Sequence, residues 1–70
     1  MKAVSGKEFA RILERHGWTL DRVKGSHHVY MLPENPTRIS LPIHGNTPLK
    51  VGLQRHFMKI AGIAEDELSR

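Results

Sequence analysis

The chain is short and basic: its 70 residues carry eleven Lys and Arg against seven Asp and Glu, with five His and no Cys. This length allows one small domain, residues 1–70, with a thin hydrophobic core. Without Cys there is neither a disulfide nor a Cys-based zinc or iron–sulfur site. The apolar runs are too short for a transmembrane helix, and the polar start argues against a signal peptide. We therefore expect a soluble, cytoplasmic protein.

The charge is distributed unevenly along the chain. Three of the seven acidic residues, Glu65, Asp66 and Glu67, lie within the last six residues. Residues 1–62 therefore carry ten basic and four acidic residues, a net charge of +6. A compact domain with this balance attracts polyanions, of which nucleic acid is the commonest in a cytoplasm. A basic surface that serves only solubility is the alternative, and charge alone leaves both interpretations open.

The first predicted element is an amphipathic helix over about residues 6–16. Ser5 and Glu8 have the spacing of a capping box, in which each side chain satisfies a backbone amide of the other. One face of the helix then carries Phe9, Ile12, Leu13 and His16. Gly17 follows, and glycine best adopts the left-handed conformation that ends a helix. The opposite face is interpreted as solvent-exposed and carries Lys7, Arg11, Glu14 and Arg15.

Three short strands are predicted next. Alternating polarity and a high content of β-forming residues mark residues 18–24, 27–32 and 38–43. Gly25-Ser26 separates the first two strands, and a turn at residues 33–36 contains two prolines that cannot lie inside a sheet. These spacings predict an antiparallel three-stranded meander.

A second helix is predicted to begin with Thr47 as its N-cap and Pro48 at the first helical position. Gly62 ends it, and its buried stripe is predicted to be Leu49, Leu53, Phe57, Ile60 and Ala61. Gly52 weakens this helix by about 1 kcal/mol relative to Ala, which indicates a close approach at that position. Residues 64–68 are consistent with a last acidic helical turn. The predicted fold class is α+β, with the order α-β-β-β-α, a three-stranded antiparallel sheet and both helices on one face.

The segment from Lys24 to His28 concentrates the residues best suited to chemistry. Gly25 allows backbone amides to approach an anion, and the side chains of Lys24 and Ser26 can contact phosphate oxygens. The imidazole of His27 or His28 can transfer protons near neutral pH, as cleavage of RNA by its own 2′-hydroxyl requires. The alternative is that both histidines are polar strand residues beside a turn without a chemical role. Short motifs produce many false matches, so this alternative stays open.

The histidines do not predict a metal site. Successive strand residues point to opposite sides, so His27 and His28 are not expected to chelate one ion. Zinc requires three or four convergent ligands. His16 suits the negative end of the first helix dipole, and His56 is expected on the surface. His44 lies beside a flexible loop and has no such explanation. We expect neither a metal nor a cofactor.

Four segments of the chain combine into a recognisable pattern. They are GW (residues 17–18), RVKGSHHVY (22–30), LKVG (49–52) and KIAGI (59–63). In this order they resemble the HicA-type mRNA interferase toxins of bacterial and archaeal type II toxin–antitoxin systems, over nearly the whole chain. The chain departs from the family at Gly52-Leu53-Gln54, where Gly-Thr-Leu is common, and therefore lacks a threonine hydroxyl near the start of the second helix.

The resemblance implies a fold similar to a double-stranded-RNA-binding domain. It implies ribosome-independent cleavage of mRNA and a HicB-type antitoxin partner that covers the active site. The catalytic histidine of the family directly follows Gly-Ser, which corresponds to His27. Because some members carry it one position later, His28 is the second candidate.

The resulting hypothesis is a metal-independent endoribonuclease in which His27 transfers a proton and the 2′-hydroxyl of the RNA is the nucleophile. The residues expected to contact the scissile phosphate or the RNA backbone are Lys24, Gly25, Ser26, Lys50 and Arg55, although Lys50 and Arg55 are equally consistent with a solvated helix face. One alternative is an RNA-binding module that does not cut and that reads the A-form helix through charge and 2′-hydroxyl contacts. A third is an interaction protein whose basic surface only binds an acidic antitoxin.

Overall fold

The computed structural model describes residues 1–69 and confirms the predicted order and fold class. Its elements are α1 (Gly6–Arg15), β1 (Thr19–Lys24), β2 (His27–Met31), β3 (Arg38–Pro42), α2 (Val51–Ala61) and a C-terminal 3-10 helix (Glu65–Ser69). The strands form an antiparallel sheet in the order β1-β2-β3. Within residues 1–69, no helix has the length and apolar character needed to cross a bilayer.

The capping box predicted at the start of α1 is present. The backbone N–H of Glu8 donates to Oγ of Ser5 at 3.1 Å, and the backbone N–H of Ser5 donates to Oε1 of Glu8 at 2.9 Å. These two bonds satisfy amides that have no partner inside the helix. Gly17, with a φ of +91°, ends the element as predicted.

The sheet has a covered face and an open face, because side chains alternate along each strand. The covered face carries Leu20, Val23, His28, Tyr30, Ile39 and Leu41, although Leu20 and Val23, on the edge strand β1, remain exposed. Tyr30, Ile39 and Leu41 on this face form one core with Phe9 of α1 and Phe57 of α2. The open face has no helix packed on it and carries Arg22, Lys24, His27, Val29, Arg38 and Ser40. Both helices therefore lie on one side of the sheet.

Helix α2 begins later than the sequence predicts. Its first residue is Val51 and its N-cap is Lys50, whose side chain makes no capping hydrogen bond. The predicted cap at Thr47 and first helical position at Pro48 are therefore wrong.

An extended pairing with the N-terminal segment holds the residues before α2. The N–H of Leu49 donates to the carbonyl oxygen of Val4 at 2.8 Å, and Pro48 lies opposite Ser5 in an antiparallel bridge. This pairing requires extended backbone, so the helix begins only after it.

The buried side of α2 includes a glutamine that the predicted apolar stripe omitted. Phe57 is buried as predicted, and Leu53, Ile60 and Ala61 are partly buried against the core. Leu49 is buried too, but it precedes α2. Gln54 is also fully buried. Its Nε2 donates to the carbonyl oxygen of Lys2 at 2.8 Å, and its Oε1 accepts from the N–H of Val4 at 3.2 Å. Gln54 thus fastens α2 to the N-terminal segment.

The close approach predicted at Gly52 is found at Gly6 instead. A Cβ at Gly52 would meet no atom within 4 Å, so the prediction for Gly52 is wrong. A Cβ at Gly6 would collide with the carbonyl oxygen of Pro42 at the end of β3. Glycine at the start of α1 therefore lets this helix lie directly against the sheet.

The C-terminal 3-10 helix occupies the region of the predicted acidic turn. Nε2 of His16 lies 2.9 Å from Oε2 of Glu67, which also accepts from the N–H of Ala64 at 3.2 Å. Leu68 is buried in the core. His16 therefore joins the end of α1 to the C-terminal segment.

Candidate active site

The hairpin turn between β1 and β2 brings four of the predicted site residues together. Lys24 and His27 are direct cross-strand partners, and Gly25 and Ser26 form the turn between them. Gly25 has a φ of +62°, a left-handed conformation that glycine adopts without strain. The carbonyl oxygen of Ser26 accepts from the N–H of Ile43 at 2.8 Å, which ties the turn to the end of β3.

His27 is exposed on the open face, and its ring is held from one side. Its Nδ1 lies 3.2 Å from Oγ of Ser40 on the neighbouring strand. Within residues 1–69, Nε2 makes no hydrogen bond to the protein. A serine hydroxyl can accept from or donate to Nδ1, so the contact is compatible with either neutral tautomer. Nε2 is therefore available as a proton acceptor or donor for a bound molecule.

His28 points the other way, as strand alternation predicts. It is half-buried on the covered face and lines a groove of about 610 Å³ between α1 and β2. We call this the α1–β2 groove; its lining residues are Lys7, Ala10, Arg11, Glu14, His28, Tyr30, Ile43, Gly45 and Asn46. Among residues 1–69, no group of three or more His, Asp or Glu is arranged to hold a metal ion.

The lining of the α1–β2 groove includes the buried Tyr30 and the exposed Glu14. Burial raises the pKa of Tyr30, and the nearby charge of Glu14 raises it further. The phenol therefore remains neutral at physiological pH.

Lys50 and Arg55 do not form one site. Lys50, with Pro42 and His44, lines a smaller groove of about 300 Å³. Since Pro42 is the cross-strand partner of His27, Lys50 lies at the same end of the molecule as the hairpin turn. Arg55 is exposed on α2, roughly 140° around the helix from the Lys50 position.

Three residues that share the open face with the predicted site were not identified from the sequence as site residues. Arg22 and Arg38 share the open face with His27, and Nε of Arg38 lies 3.6 Å from Oδ2 of Asp21. Ser40 contacts His27 itself. The alternation of residues along β3 predicts that Ser40 faces away from the core. Only the register between β2 and β3 shows that it lies near His27.

Comparison with known proteins identifies the family. The family model described as the HicA toxin of bacterial toxin-antitoxin matches residues 6–63. This range contains both helices, the whole sheet and the hairpin turn. Among curated protein sequences, none matches the chain significantly. Because the family match covers most of the chain, the protein belongs to the HicA family of toxins from bacterial toxin–antitoxin systems.

Proposed function

We propose that the protein is a metal-independent endoribonuclease that cleaves mRNA in the cytoplasm and is neutralised by a HicB-type antitoxin. Membership of the HicA family supports an RNA-cleaving toxin with an antitoxin partner. The observation that carries the proposal further is the environment of His27. Its exposed imidazole is held by Ser40 through Nδ1 and lies opposite Lys24, beside a glycine turn.

The proposed reaction uses the RNA's own nucleophile. The 2′-oxygen attacks the adjacent phosphorus while its proton passes to a base. The bond from phosphorus to the 5′-oxygen breaks, and that oxygen takes a proton from an acid. The products are a 2′,3′-cyclic phosphate and a 5′-hydroxyl. Nε2 of His27 supplies one of these two proton transfers, since an imidazole exchanges protons near neutral pH.

The hairpin turn provides the phosphate contacts in this proposal. The Lys24 ammonium offsets the negative charge that builds up on the phosphate oxygens during attack. The left-handed conformation of Gly25 orients neighbouring backbone amides toward an anion. The Ser26 hydroxyl adds a neutral donor. Lys50 lies at the same end of the molecule and extends this path along the RNA backbone, while Arg55 contributes a weaker, more distant contact.

The geometry favours His27 over His28 for proton transfer. His27 is exposed and shares the open face with Lys24, whereas His28 is half-buried on the covered face. A substrate phosphate held by the hairpin turn on the open face is therefore closer to the ring of His27. His28 is the second candidate for the catalytic residue.

The same open face is the surface that we propose the antitoxin covers. Arg22, Lys24 and Arg38 share this face with His27, and an acidic partner matches their charge. A protein seated over His27 excludes RNA from the site.

The proposal is tested by incubating the purified protein with radiolabelled mRNA in the presence of EDTA. We expect shortened fragments that end in a 2′,3′-cyclic phosphate. Loss of cleavage in EDTA with recovery on addition of Mg²⁺ or Mn²⁺ would contradict the metal-independent mechanism. Retarded but intact RNA on a native gel would instead support a binding module that does not cut.

A further inference from the structure

The α1–β2 groove is large enough for a small ligand and is not used by the mechanism proposed above. Its volume of about 610 Å³ lies within the range of pockets that bind small molecules. His28 and Tyr30 line one wall, α1 forms the other, and the Gly45-Asn46 loop closes one rim. Gly6 makes this arrangement possible because it lets α1 lie directly against the end of β3.

Positively and negatively charged side chains lie at opposite ends of this groove. Lys7, Arg11 and Glu14 occupy positions i, i+4 and i+7 of α1, so they form one stripe with two cations at one end and a carboxylate at the other. Within residues 1–69, neither Lys7 nor Arg11 forms an ion pair. The distance from Lys7 to Glu14 along the helix axis is roughly 10 Å.

The basic end of the groove adjoins the hairpin turn. Gly6, next to Lys7, lies against Pro42 and Ile43. The N–H of Ile43 donates to the carbonyl oxygen of Ser26 in the turn. The acidic end lies further along β2, where Glu14 and Tyr30 both line the groove.

The two histidines link the groove to the cleavage site. His27 and His28 are consecutive in β2, with one ring on the open face and the other in the groove. In the turn between the two sites Gly25 is exposed, and a Cβ there would meet no atom within 4 Å. An RNA strand can therefore pass around the tip of the hairpin from one face to the other.

We propose that the α1–β2 groove binds one RNA nucleotide adjacent to the scissile phosphate, with its phosphate at Lys7 and Arg11 and its base beside Glu14. This inference rests on the proposed endoribonuclease function and adds a substrate preference to it. A carboxylate accepts hydrogen bonds from the exocyclic amino groups of adenine and cytosine. It repels the carbonyl oxygen that uracil presents at the equivalent position. The groove therefore selects a base with an amino group over uracil, and His28 is a binding residue.

The test measures the binding of RNA that cannot be cleaved. Fluorescent 2′-O-methyl octamers of A, C and U lack the nucleophile, so their affinity is independent of catalysis. We expect the unmodified protein to bind the A and C octamers more tightly than the U octamer. Lys7→Gln should weaken all three roughly three- to fivefold and reduce the slope of log affinity against log salt by about 0.7.

Two further variants separate base selection from charge. Glu14→Gln should abolish the preference for A and C, because an amide can pair with uracil as well. Lys59→Gln removes the same charge as Lys7→Gln but lies in the last turn of α2, so it should leave the salt slope unchanged.

Three outcomes would overturn the inference. The first is an equal effect of Lys7→Gln and Lys59→Gln on the salt slope. The second is a preference for A and C that survives Glu14→Gln. The third is unchanged RNA binding by Lys7→Gln with weakened antitoxin binding, which would make the groove a protein-docking surface. Failure of the proposed function is a separate result: the His27→Ala variant would still cleave mRNA while the octamer affinities followed the pattern above.

Discussion

The two faces of the sheet are built from the same strands and differ in what packs on them. On the covered face, Tyr30, Ile39 and Leu41 are buried in the core with both helices. On the open face, His27 and Ser40 are exposed and contact each other. Because successive side chains of a strand point to opposite faces, residues of the covered face and of the open face are neighbours in sequence. We therefore expect substitutions of the buried side chains on the covered face to change stability. Substitutions of the exposed side chains on the open face should change RNA chemistry with little effect on stability.

The largest expected effect on stability comes from Gly6→Ala. The new methyl group would collide with the backbone oxygen of Pro42, which cannot rotate away as a side chain can. Helix α1 must then shift off the sheet, with a cost to the free energy of unfolding of about 3 kcal/mol, the upper end for overpacking. Urea unfolding measures this difference.

Gly52→Ala is the matched control for that substitution. The added methyl group meets no atom within 4 Å, and Gly52 lies inside α2. The substitution should therefore raise the free energy of unfolding by about 1 kcal/mol through helix propensity alone. Equal destabilisation by the two changes would show that the contact at Gly6 is unimportant.

The next largest effect is expected from Gln54→Ala. This change leaves the buried N–H of Val4 without its partner and frees the carbonyl oxygen of Lys2. Such a loss costs about 1–3 kcal/mol in the free energy of unfolding. Arg55→Ala, one position along and exposed, should change it by less than about 0.5 kcal/mol. Thermal unfolding of both variants tests the contrast, and similar losses would contradict the role given to Gln54.

Local sequence signals predicted most of the fold. Ser5 and Glu8 form the predicted capping box because all its partners lie within four residues. The strands follow the alternation of polar and apolar residues, and Gly62 ends α2 in the left-handed conformation, with a φ of +67°. The start of α2 was wrong because Pro48 pairs with the distant N-terminal segment. The favourable local cap at Thr47 does not outweigh that pairing.

The candidate site was predictable only in part, because some of its contacts also join segments that are distant in sequence. Residues 24–27 are adjacent in sequence, so the hairpin turn brings them together directly. Ser40 reaches His27 only through the register of two strands. Lys7 and Arg11 are typical of a solvated helix face in sequence, and only the packing of α1 places them in a groove with His28.

A smaller effect is expected from Ser40→Ala, which acts on the open face alone. Loss of the contact to Nδ1 of His27 leaves the ring free to change tautomer and orientation. We expect cleavage to slow by several-fold and the free energy of unfolding to change by less than about 0.5 kcal/mol, as for other exposed positions. The ¹⁵N chemical shifts of His27 should show a changed tautomer ratio. Unchanged shifts would contradict a positioning role for Ser40.

The smallest expected effect is the loss at low pH of the stability that the capping box contributes. The pKa of Glu8 is lowered because its carboxylate accepts a hydrogen bond from the backbone of Ser5. A group whose pKa is lower in the folded state stabilises the fold above its unfolded pKa, and this contribution is lost as pH falls through the folded value. The stability difference between the unmodified protein and Glu8→Gln should therefore shrink from pH 7 to pH 3. A difference that grows in acid would contradict this account.

The most direct test of the proposed mechanism compares mRNA cleavage by His27→Ala, His28→Ala and the exposed control His56→Ala. His27→Ala should lose 10²–10⁴-fold in kcat, the usual effect of removing a general acid or base. It should keep its melting temperature and its affinity for uncleavable RNA. His28→Ala should raise KM with little change in kcat, and His56→Ala should change neither. Loss of kcat in His28→Ala but not in His27→Ala would place catalysis one residue later, and full activity in both would contradict the histidine mechanism.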